Sequence, residues 1–168
     1  FDRMLKKIGL HRVRIALSAG APLPPEVQGL WQVWGVNLKN LYGQTEGGVV
    51  TAQIEPFPSP GSVGKPYPGV AIRIEEDQEI TVATPGAFAG YWQDTATTAE
   101  AMQDSVIKTG DVGDFDDQGN LHIVDRKKDI VITAGGKNVS PSRIETALKS
   151  SPYVSEASVV GEGRKYLT

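Results

Sequence analysis

The sequence predicts an α/β protein that also contains a small, mostly antiparallel β unit (α+β). Three observations lead to this fold class. Strand, helix and strand patterns follow one another within about 30 residues near the start, which is typical of a parallel α/β layer. From residue 53 the pattern changes to short strands separated by turn residues. After residue 128 a strand and a helix follow again.

The first part of the chain supplies the α/β layer. A helix is predicted over Phe1–Leu10 and a strand over Val13–Ser18. A second helix begins at Pro25, a residue tolerated in a first helical turn, and a second strand covers Asn37–Leu41. Apolar residues recur at helical spacing in the second helix, so we expect its buried face to consist of Val27, Leu30, Trp31 and Trp34.

The middle of the chain is predicted to be the β unit. Glu55–Gly69 holds five of the eleven prolines, too many for a regular element. A short helix is predicted over Asp94–Met102, with Asp94 as its N-cap. Turn residues such as those of Asp116–Asn120 separate the predicted strands. These strands cover Val70–Glu75, Glu79–Thr84, Asp111–Phe115 and Leu121–Val124.

The last part is predicted to return to α/β structure. A strand over Asp129–Thr133 precedes a helix that opens at Ser140, and another strand covers Val154–Gly161. Ile144, Ala147 and Leu148 are expected to face inward from that helix. The charged run Asp125–Asp129 indicates a linker. The expected units are therefore residues 1–52, residues 53–124, a hinge at 125–128 and residues 129–168.

Composition excludes several classes of function. The chain has 168 residues with 17 basic and 20 acidic side chains, and this balance gives no electrostatic reason to expect nucleic acid as a partner. It contains no cysteine, which excludes disulfides, thiolate catalysis and cysteine-ligated zinc. His11 and His122 have no further ligand at metal-binding spacing. The common phosphate-binding and dinucleotide-binding glycine motifs are absent.

One candidate site is the segment Leu41–Gly48. It follows a predicted strand, at the place where parallel sheets bind ligands, and contains three glycines. The Thr45 hydroxyl can donate to a phosphate oxygen, and the neighbouring Glu46 carboxylate can hold the magnesium ion that accompanies a phosphate. The alternative is a simple turn in which Tyr42 is packed and Glu46 is solvated.

Two further segments are weaker candidates by themselves. Lys108–Asp111 ends in a carboxylate, which is the group that commonly accepts hydrogen bonds from ribose hydroxyls, but turn aspartates are also common. Asp125–Asp129 and the glycine-containing segment Thr133–Ser140 could equally form a solvated connection between two apolar strands.

The order of the motifs resembles the adenylate-forming enzyme superfamily, which includes acyl-CoA synthetases, peptide-synthetase adenylation domains and luciferases. The chain is most similar to long-chain fatty-acid–CoA ligases, and the resemblance runs from about Val13 to Thr168. The motifs occur in the order Gly-Ala-Pro-Leu, Tyr-Gly-Gln-Thr-Glu, Gly-Ser-Val-Gly-Lys-Pro, Gly-Tyr-Trp, Thr-Gly-Asp, Asp-Arg-Lys-Lys-Asp and Gly-Gly-Lys-Asn.

The resemblance implies roles for individual residues. Thr45 and Glu46 would be the catalytic residues, with Thr45 at the α-phosphate and Glu46 on Mg²⁺. Lys128 would be the hinge of a mobile C-terminal domain. Gly135 and Gly136 would lie on the loop that meets the thiol of CoA. The residues that would bind ATP or AMP, with the Tyr42 ring stacked on adenine and Asp111 on the ribose, are Gly20, Ala21, Pro22, Tyr42, Gly43, Gln44, Thr45, Asp111 and Arg126.

The sequence also departs from the family pattern. The family's phosphate loop and its C-terminal lysine have no counterpart here, Gln78–Glu79 replaces a usual Gly-Glu, Ser105–Val106 replaces Gly-Trp, and Arg143 replaces a common acidic residue. We therefore expect a C-terminal-half fragment of the adenylate-forming fold that is inactive alone.

The expected parent is an ATP-dependent ligase that converts a fatty acid, ATP and CoA to acyl-CoA, AMP and pyrophosphate. Three alternatives stay open: transfer of the acyl group to a carrier protein, a luciferase-like oxygenase, and a non-catalytic nucleotide-binding module. The expected partners are small-molecule substrates. The expected location is cytoplasmic, with peripheral membrane contact of the parent left open.

Overall fold

The computed structural model describes all 168 residues and contains four α-helices and eleven short strands. A 3₁₀ helix covers Lys127–Asp129. The helices are α1 (Asp2–Lys7), α2 (Pro25–Val33), α3 (Thr95–Ala101) and α4 (Pro141–Lys149). The strands are β1 (Ala16–Ser18), β2 (Leu38–Gln44), β3 (Gly48–Ala52), β4 (Lys65–Pro66), β5 (Ala71–Ile74), β6 (Glu79–Ala83), β7 (Met102–Gln103), β8 (Val106–Phe115), β9 (Leu121–Arg126), β10 (Val131–Ile132) and β11 (Asn138–Val139).

The first sheet has the order β1-β2-β3-β4. Strands β1 and β2 are parallel and are connected through α2, as the sequence predicts. Strand β2 continues to Gln44, three residues past its predicted end, and forms a hairpin with β3, a strand that the sequence analysis did not predict. Gly43 permits this hairpin, because a Cβ atom there would lie 2.2 Å from the carbonyl oxygen of Gly48.

The second sheet has the order β5-β6-β8-β7, with β9 paired to β8, and all of its pairings are antiparallel. The predicted fold class, α/β with an antiparallel β unit, is therefore confirmed. Strand β8 begins at Val106 and not at Asp111, so the Thr-Gly-Asp motif lies within a strand and the alternative of a turn aspartate is wrong. The hydroxyl of Thr109 donates to the carbonyl oxygen of Ile80 on the neighbouring strand at 2.7 Å.

The main hydrophobic core joins the two sheets. It contains Val50 from β3, Ile80 and Val82 from β6, Leu121 from β9, and Val63 from the connecting loop. Backbone hydrogen bonds between Val63 and Leu121, and between Leu121 and Gly64, tie this loop to β9 at 2.8 Å each. The core therefore fixes β2 and β3 relative to β8 and β9, the strands that carry the candidate site.

Helix α2 does not bury the face that the sequence predicts. Val27 and Leu30 are 39% and 48% exposed, whereas Gln28 is fully buried. The side-chain amide of Gln28 donates to the backbone oxygen of Leu38 at 3.0 Å and to Oε1 of Gln53 at 2.6 Å. The helix packs on β2 through these polar contacts, so the apolar side chains of Val27 and Leu30 remain largely exposed. Trp31 and Trp34 are only partly buried, with their rings 5.3 Å apart.

The C-terminal predictions need two corrections. Ala147 and Leu148 of α4 are exposed, because this helix contacts β9 near its N-terminal end, where Pro141 is buried. Residues 154–161 form no strand. Their backbone groups have other partners: Val160 exchanges two hydrogen bonds with Thr168, and the amide of Val159 donates to the Glu145 carboxylate. No helix is both long and apolar enough to span a membrane.

The close backbone approach at Gly64 leads to a stability prediction. Gly64 has φ +83° and a Cβ there would lie 2.2 Å from the backbone of Ala52, whereas Gly119 has φ +78° and open space around it. Gly119→Ala should therefore lower the free energy of unfolding by about 1–2 kcal/mol from left-handed strain alone. Gly64→Ala should cost about 1–3 kcal/mol more, because the backbone must also move apart. Thermal and denaturant unfolding of the purified variants measure the difference, and equal losses would contradict the prediction.

Candidate functional site

A groove of about 990 Å³ is lined by the loop after β1 and by residues of β2, β8, β9 and α4. A smaller cleft of about 310 Å³ adjoins it and shares Gly20 and Leu41–Gln44 with it. Thr45 lines the smaller cleft. The other predicted nucleotide-binding residues all line the larger groove: Gly20, Ala21, Pro22, Tyr42, Gly43, Gln44, Asp111 and Arg126. The structure therefore brings this predicted set together on one continuous surface.

The carboxylate of Asp111 is the centre of the site. Its Oδ2 accepts hydrogen bonds from the Tyr42 hydroxyl at 2.5 Å and from Nε2 of Gln44 at 2.9 Å. Its Oδ1 lies 2.9 Å from Nε of Arg126. Asp111 is only 4% exposed, so these donors compensate the loss of its hydration.

The register of the strands builds this network. Asp111 of β8 lies opposite Arg126 of β9 in the antiparallel ladder. Tyr42 and Gln44 are two residues apart on β2, and both reach the same carboxylate. The backbone oxygen of Thr109 also accepts from the side chains of Gln44 and Arg126, at 2.8 Å and 3.2 Å. Side chains from three strands are therefore joined in one hydrogen-bonded network.

The electrostatics of the site favour this arrangement. Burial and the hydrogen bond to Asp111 raise the pKa of Tyr42, so its hydroxyl remains a donor at neutral pH. Arg126 keeps its positive charge in all ordinary conditions. A carboxylate can accept about four hydrogen bonds and Asp111 has three protein donors, so it retains acceptor capacity for about one hydroxyl group in the groove. This geometry is compatible with ribose binding, and the role of Asp111 remains a prediction.

Thr45 and Glu46 lie in the turn between β2 and β3. Oε1 of Glu46 accepts a hydrogen bond from the Tyr91 hydroxyl at 2.6 Å, and this contact raises the pKa of Tyr91. The backbone oxygen of Glu46 accepts from the amide of Phe88 at 2.8 Å. Sequence reasoning gave Tyr91 no role, although it noted the Gly-Tyr-Trp motif that contains it.

The donor set at Glu46 fits a magnesium ion that is bound mainly by phosphate. No group of three or more His, Cys, Asp or Glu side chains could hold a metal in the chain. Magnesium is commonly bound by one or two carboxylates together with water and substrate phosphates. One carboxylate with an oxygen that accepts no protein hydrogen bond satisfies that requirement.

The remaining predicted site residues lie away from the groove. Lys128 is an exposed residue of the 3₁₀ helix that follows β9. Gly135 and Gly136 form the exposed turn between β10 and β11. None of the three lines the groove. The structure therefore does not place the expected hinge or the expected CoA loop in contact with the nucleotide-binding set.

Sequence reasoning missed a contact that connects α4 to β9. Oδ2 of Asp125 accepts from the Ser140 hydroxyl at 2.6 Å and from the Ser142 amide at 3.2 Å, and its Oδ1 accepts from the Arg126 amide at 2.9 Å. Burial opposes ionisation of Asp125, but the hydrogen bonds from Ser140 and Ser142 outweigh it and hold its pKa below the ordinary value. The sequence signal that could have indicated a contact at this helix end is Ser140 directly before Pro141, which is a typical helix start.

Comparisons with known proteins identify the family. The AMP-binding enzyme family matches residues 2–92, and the AMP-binding enzyme C-terminal domain matches residues 128–168. The chain belongs to the AMP-binding enzyme family. These enzymes are the adenylate-forming proteins that the motif order resembles, so the resemblance is confirmed.

Individual relatives give the same result. The chain is 41% identical over 156 residues to the long-chain-fatty-acid–CoA ligase FadD15 of Mycobacterium bovis, a match that covers 92% of this chain and 26% of that ligase. It is 35% identical to the long-chain-fatty-acid–CoA ligase of Bacillus subtilis, with 96% and 31% coverage. The chain thus spans about a quarter to a third of the length of these relatives.

Solved structures of the AMP-binding family superpose on nearly the whole chain. The o-succinylbenzoate CoA synthetase MenE of Bacillus subtilis, in complex with its acyl-adenylate intermediate, aligns with a TM-score of 0.81 and 29% identity over 99% of this chain and 38% of that one. ATP-bound MatB of Rhodopseudomonas palustris aligns with a TM-score of 0.78 and 33% identity over 92% and 33%.

Replacement of Asp111 tests the centre of the site. The sequence alone suggests a carboxylate near solvent whose loss spares folding, but Asp111 is buried and bonded from three sides. Asp111→Asn in the full-length protein should therefore weaken ATP use and also lower stability. Each loss should be about 1.5–3 kcal/mol, the value of hydrogen bonds to a charged group. Asp117→Asn, on an exposed residue of the turn after β8 that does not line the groove, is the control. An unchanged KM for ATP together with an unchanged Tm would exclude Asp111 from this role.

The raised pKa of Tyr42 predicts a loss of stability at high pH. The free tyrosine pKa is about 10 and the folded value is higher, so the native state holds the phenolic proton more tightly than the unfolded state. The resulting stabilisation is complete below pH ~10 and is lost as the pH rises towards the folded pKa. Tyr42→Phe should remove this part of the pH dependence. Tyr153→Phe, on a residue that is 95% exposed, is the control and should keep the wild-type pH dependence of stability. Denaturant unfolding between neutral and alkaline pH measures the free energy of unfolding of both variants.

Proposed function

We propose that this chain forms the nucleotide-binding part of an ATP-dependent ligase that activates a carboxylic acid as its acyl-adenylate and transfers the acyl group to CoA. The observation that carries the proposal is the hydrogen-bonded network of Tyr42, Gln44, Asp111 and Arg126 along the groove. Such a network lowers the cost of ordering the site when a nucleotide binds. The family membership of the chain supports the same reaction.

Each part of the groove would have one task. The backbone at Gly20–Pro22 and the Tyr42 ring would line the adenine, because small residues and an aromatic face suit a flat apolar base. Asp111 would accept the ribose hydroxyls, with Arg126 beside it. Thr45 would donate to the α-phosphate. Catalysis would consist mainly of holding the acid carboxylate and the α-phosphate in line.

Glu46 would hold the magnesium ion. When bound, the ion would neutralise part of the phosphate charge. The Tyr91 hydroxyl would orient the Glu46 carboxylate by occupying Oε1. The role of Tyr91 as a residue that orients Glu46 is inferred from this one hydrogen bond.

The acid substrate is proposed to be a long-chain fatty acid. The names of FadD15 and of the Bacillus subtilis ligase support this substrate class. Other relatives are named as 2-succinylbenzoate–CoA ligases, so the acid must be identified by experiment.

Two assays on the full-length protein test the proposal. Exchange of labelled pyrophosphate into ATP, measured with short-chain, long-chain and aromatic acids, reports adenylation. Consumption of preformed acyl-AMP with CoA, or with a carrier protein, reports the second step. We expect exchange that depends on a long-chain acid, and thioester formation with CoA. Exchange without a CoA reaction would favour the carrier-protein alternative. Nucleotide binding without exchange would indicate a non-catalytic module.

Lys128 provides a test of the proposed hinge between residues 1–124 and 129–168. Lys127 is part of the 3₁₀ helix, and proline at position 128 disfavours helical conformations of the preceding residue. Lys128→Pro should therefore penalise the conformation that contains this 3₁₀ helix, so that adenylation and thioester formation are affected unequally. Lys128→Ala, which removes the ammonium group but leaves the backbone unrestricted, is the control. Equal losses in both steps would exclude a pivot at Lys128.

A further inference from the structure

The side chain of Glu79 connects two parts of the chain that flank the nucleotide site. Its Oε1 accepts a hydrogen bond from the backbone amide of Gly110 at 3.1 Å. Its Oε2 lies 2.7 Å from Nζ of Lys127. The Glu79 side chain is only 13% exposed, so both contacts are partly shielded from water.

The two partners of Glu79 lie beside the pair that would hold the ribose. Gly110 directly precedes Asp111, and Lys127 directly follows Arg126. Asp111 and Arg126 are themselves opposite one another in the β8–β9 ladder. One carboxylate therefore restrains the backbone before Asp111 and the side chain after Arg126.

Local backbone features fix Glu79 in this position. The pairing of β6 with β8 shifts register between Glu79 and Thr81. Gly110 has φ +68°, a conformation that favours glycine and here accompanies the contact of its amide with the carboxylate. The amide of Gly113 donates to the backbone oxygen of Gln78 at 3.2 Å, which holds β8 against the residue before Glu79.

Asp77 provides a second, weaker contact for Lys127. Its Oδ2 lies 2.6 Å from Nζ of Lys127, but its side chain is 54% exposed. Hydrogen bonds to Asp77 and Glu79 raise the pKa of Lys127, so the ammonium stays charged throughout the ordinary pH range. Exposed ion pairs contribute little because water and salt screen them. Glu79, which also bonds to Gly110, is therefore the main restraint.

We propose that Glu79 is a positioning residue of the ligase, which holds the Asp111–Arg126 pair in place for the nucleotide. Glu79 also connects that pair to Lys127, the residue directly before the proposed hinge residue Lys128. This inference rests on the proposed function and deepens it. Glu79 does not line the groove and would act through Gly110 and Lys127, without touching substrate.

Variants at Glu79 separate the two arms of the contact. Glu79→Ala removes both arms and should raise the KM for ATP about tenfold in the full-length protein, because a hydrogen bond to a charged group is lost beside Asp111. Glu79→Gln keeps an oxygen that can accept from Gly110, so it should restore most of the ATP affinity.

Lys127→Gln removes only the ionic arm, so it should leave the KM for ATP near the wild-type value. It should change the ratio of thioester formation to adenylation by up to about fivefold.

The design includes a matched control and readouts that do not depend on stability. Glu76→Gln makes the same charge change in the turn before β6, on an exposed residue whose side chain makes no hydrogen bond. A loss of folded protein lowers the rates of both half-reactions by the same factor. Neither the ratio of these rates nor the KM for ATP should therefore respond to it.

The outcomes distinguish this inference from the function on which it rests. A raised KM for ATP in Glu79→Ala, with rescue in Glu79→Gln and no effect in Glu76→Gln, would support it. An active wild-type protein whose Glu79→Ala variant keeps its KM for ATP would overturn the inference alone. So would an equal rise in Glu76→Gln. A wild-type protein without acid-dependent pyrophosphate exchange would overturn the proposed function and this inference with it.

Discussion

The buried carboxylate of Asp111 is the constraint on which the candidate site depends. A charge that is 4% exposed is stable only when hydrogen-bond donors replace its water, and Tyr42, Gln44 and Arg126 provide them. Because these donors belong to β2 and β9 while Asp111 belongs to β8, the requirement joins the two sheets. The hydrophobic core formed by Val50, Val63, Ile80, Val82 and Leu121 maintains the distances at which those bonds can form.

The same constraint determines what the groove can recognise. Its polar residues are concentrated where β2, β8 and β9 meet, whereas Gly20–Pro22 present backbone and small side chains. The opposite charges of Asp111 and Arg126 balance one another where these strands meet, and the pair offers directed acceptors and donors. Such a surface suits a sugar with an attached base, while the phosphates would lie towards Thr45 and the Glu46–Tyr91 pair.

The sequence predicts much of the fold because local patterns determine it. The parallel β1–α2–β2 unit, the antiparallel strands and the Asp94 N-cap, which accepts from the Thr97 amide at 2.9 Å, all follow from spacing and residue type. The motif order also predicts the family and a nucleotide-binding set that the structure brings together.

The burial of Gln28 could not be predicted, because its partners Leu38 and Gln53 are distant in sequence. The strand predicted at 154–161 is wrong because these residues have no neighbouring strand with which to pair. Tyr91 and Asp125 were missed because their roles arise from tertiary contacts.

The contact of Asp125 with Ser140 and Ser142 has a consequence for how the C-terminal part of the chain can move. A carboxylate that is 8% exposed cannot lose the Ser140 hydroxyl and the Ser142 amide gradually, because partial separation leaves the charge desolvated with only the Arg126 amide as its partner. Separation of α4 from β9 must therefore pass over an energy barrier before water reaches the carboxylate. Movement of this helix would then resemble a switch between two positions, with few structures populated in between. The rate of such a switch would depend on how quickly water can enter beside Ser140.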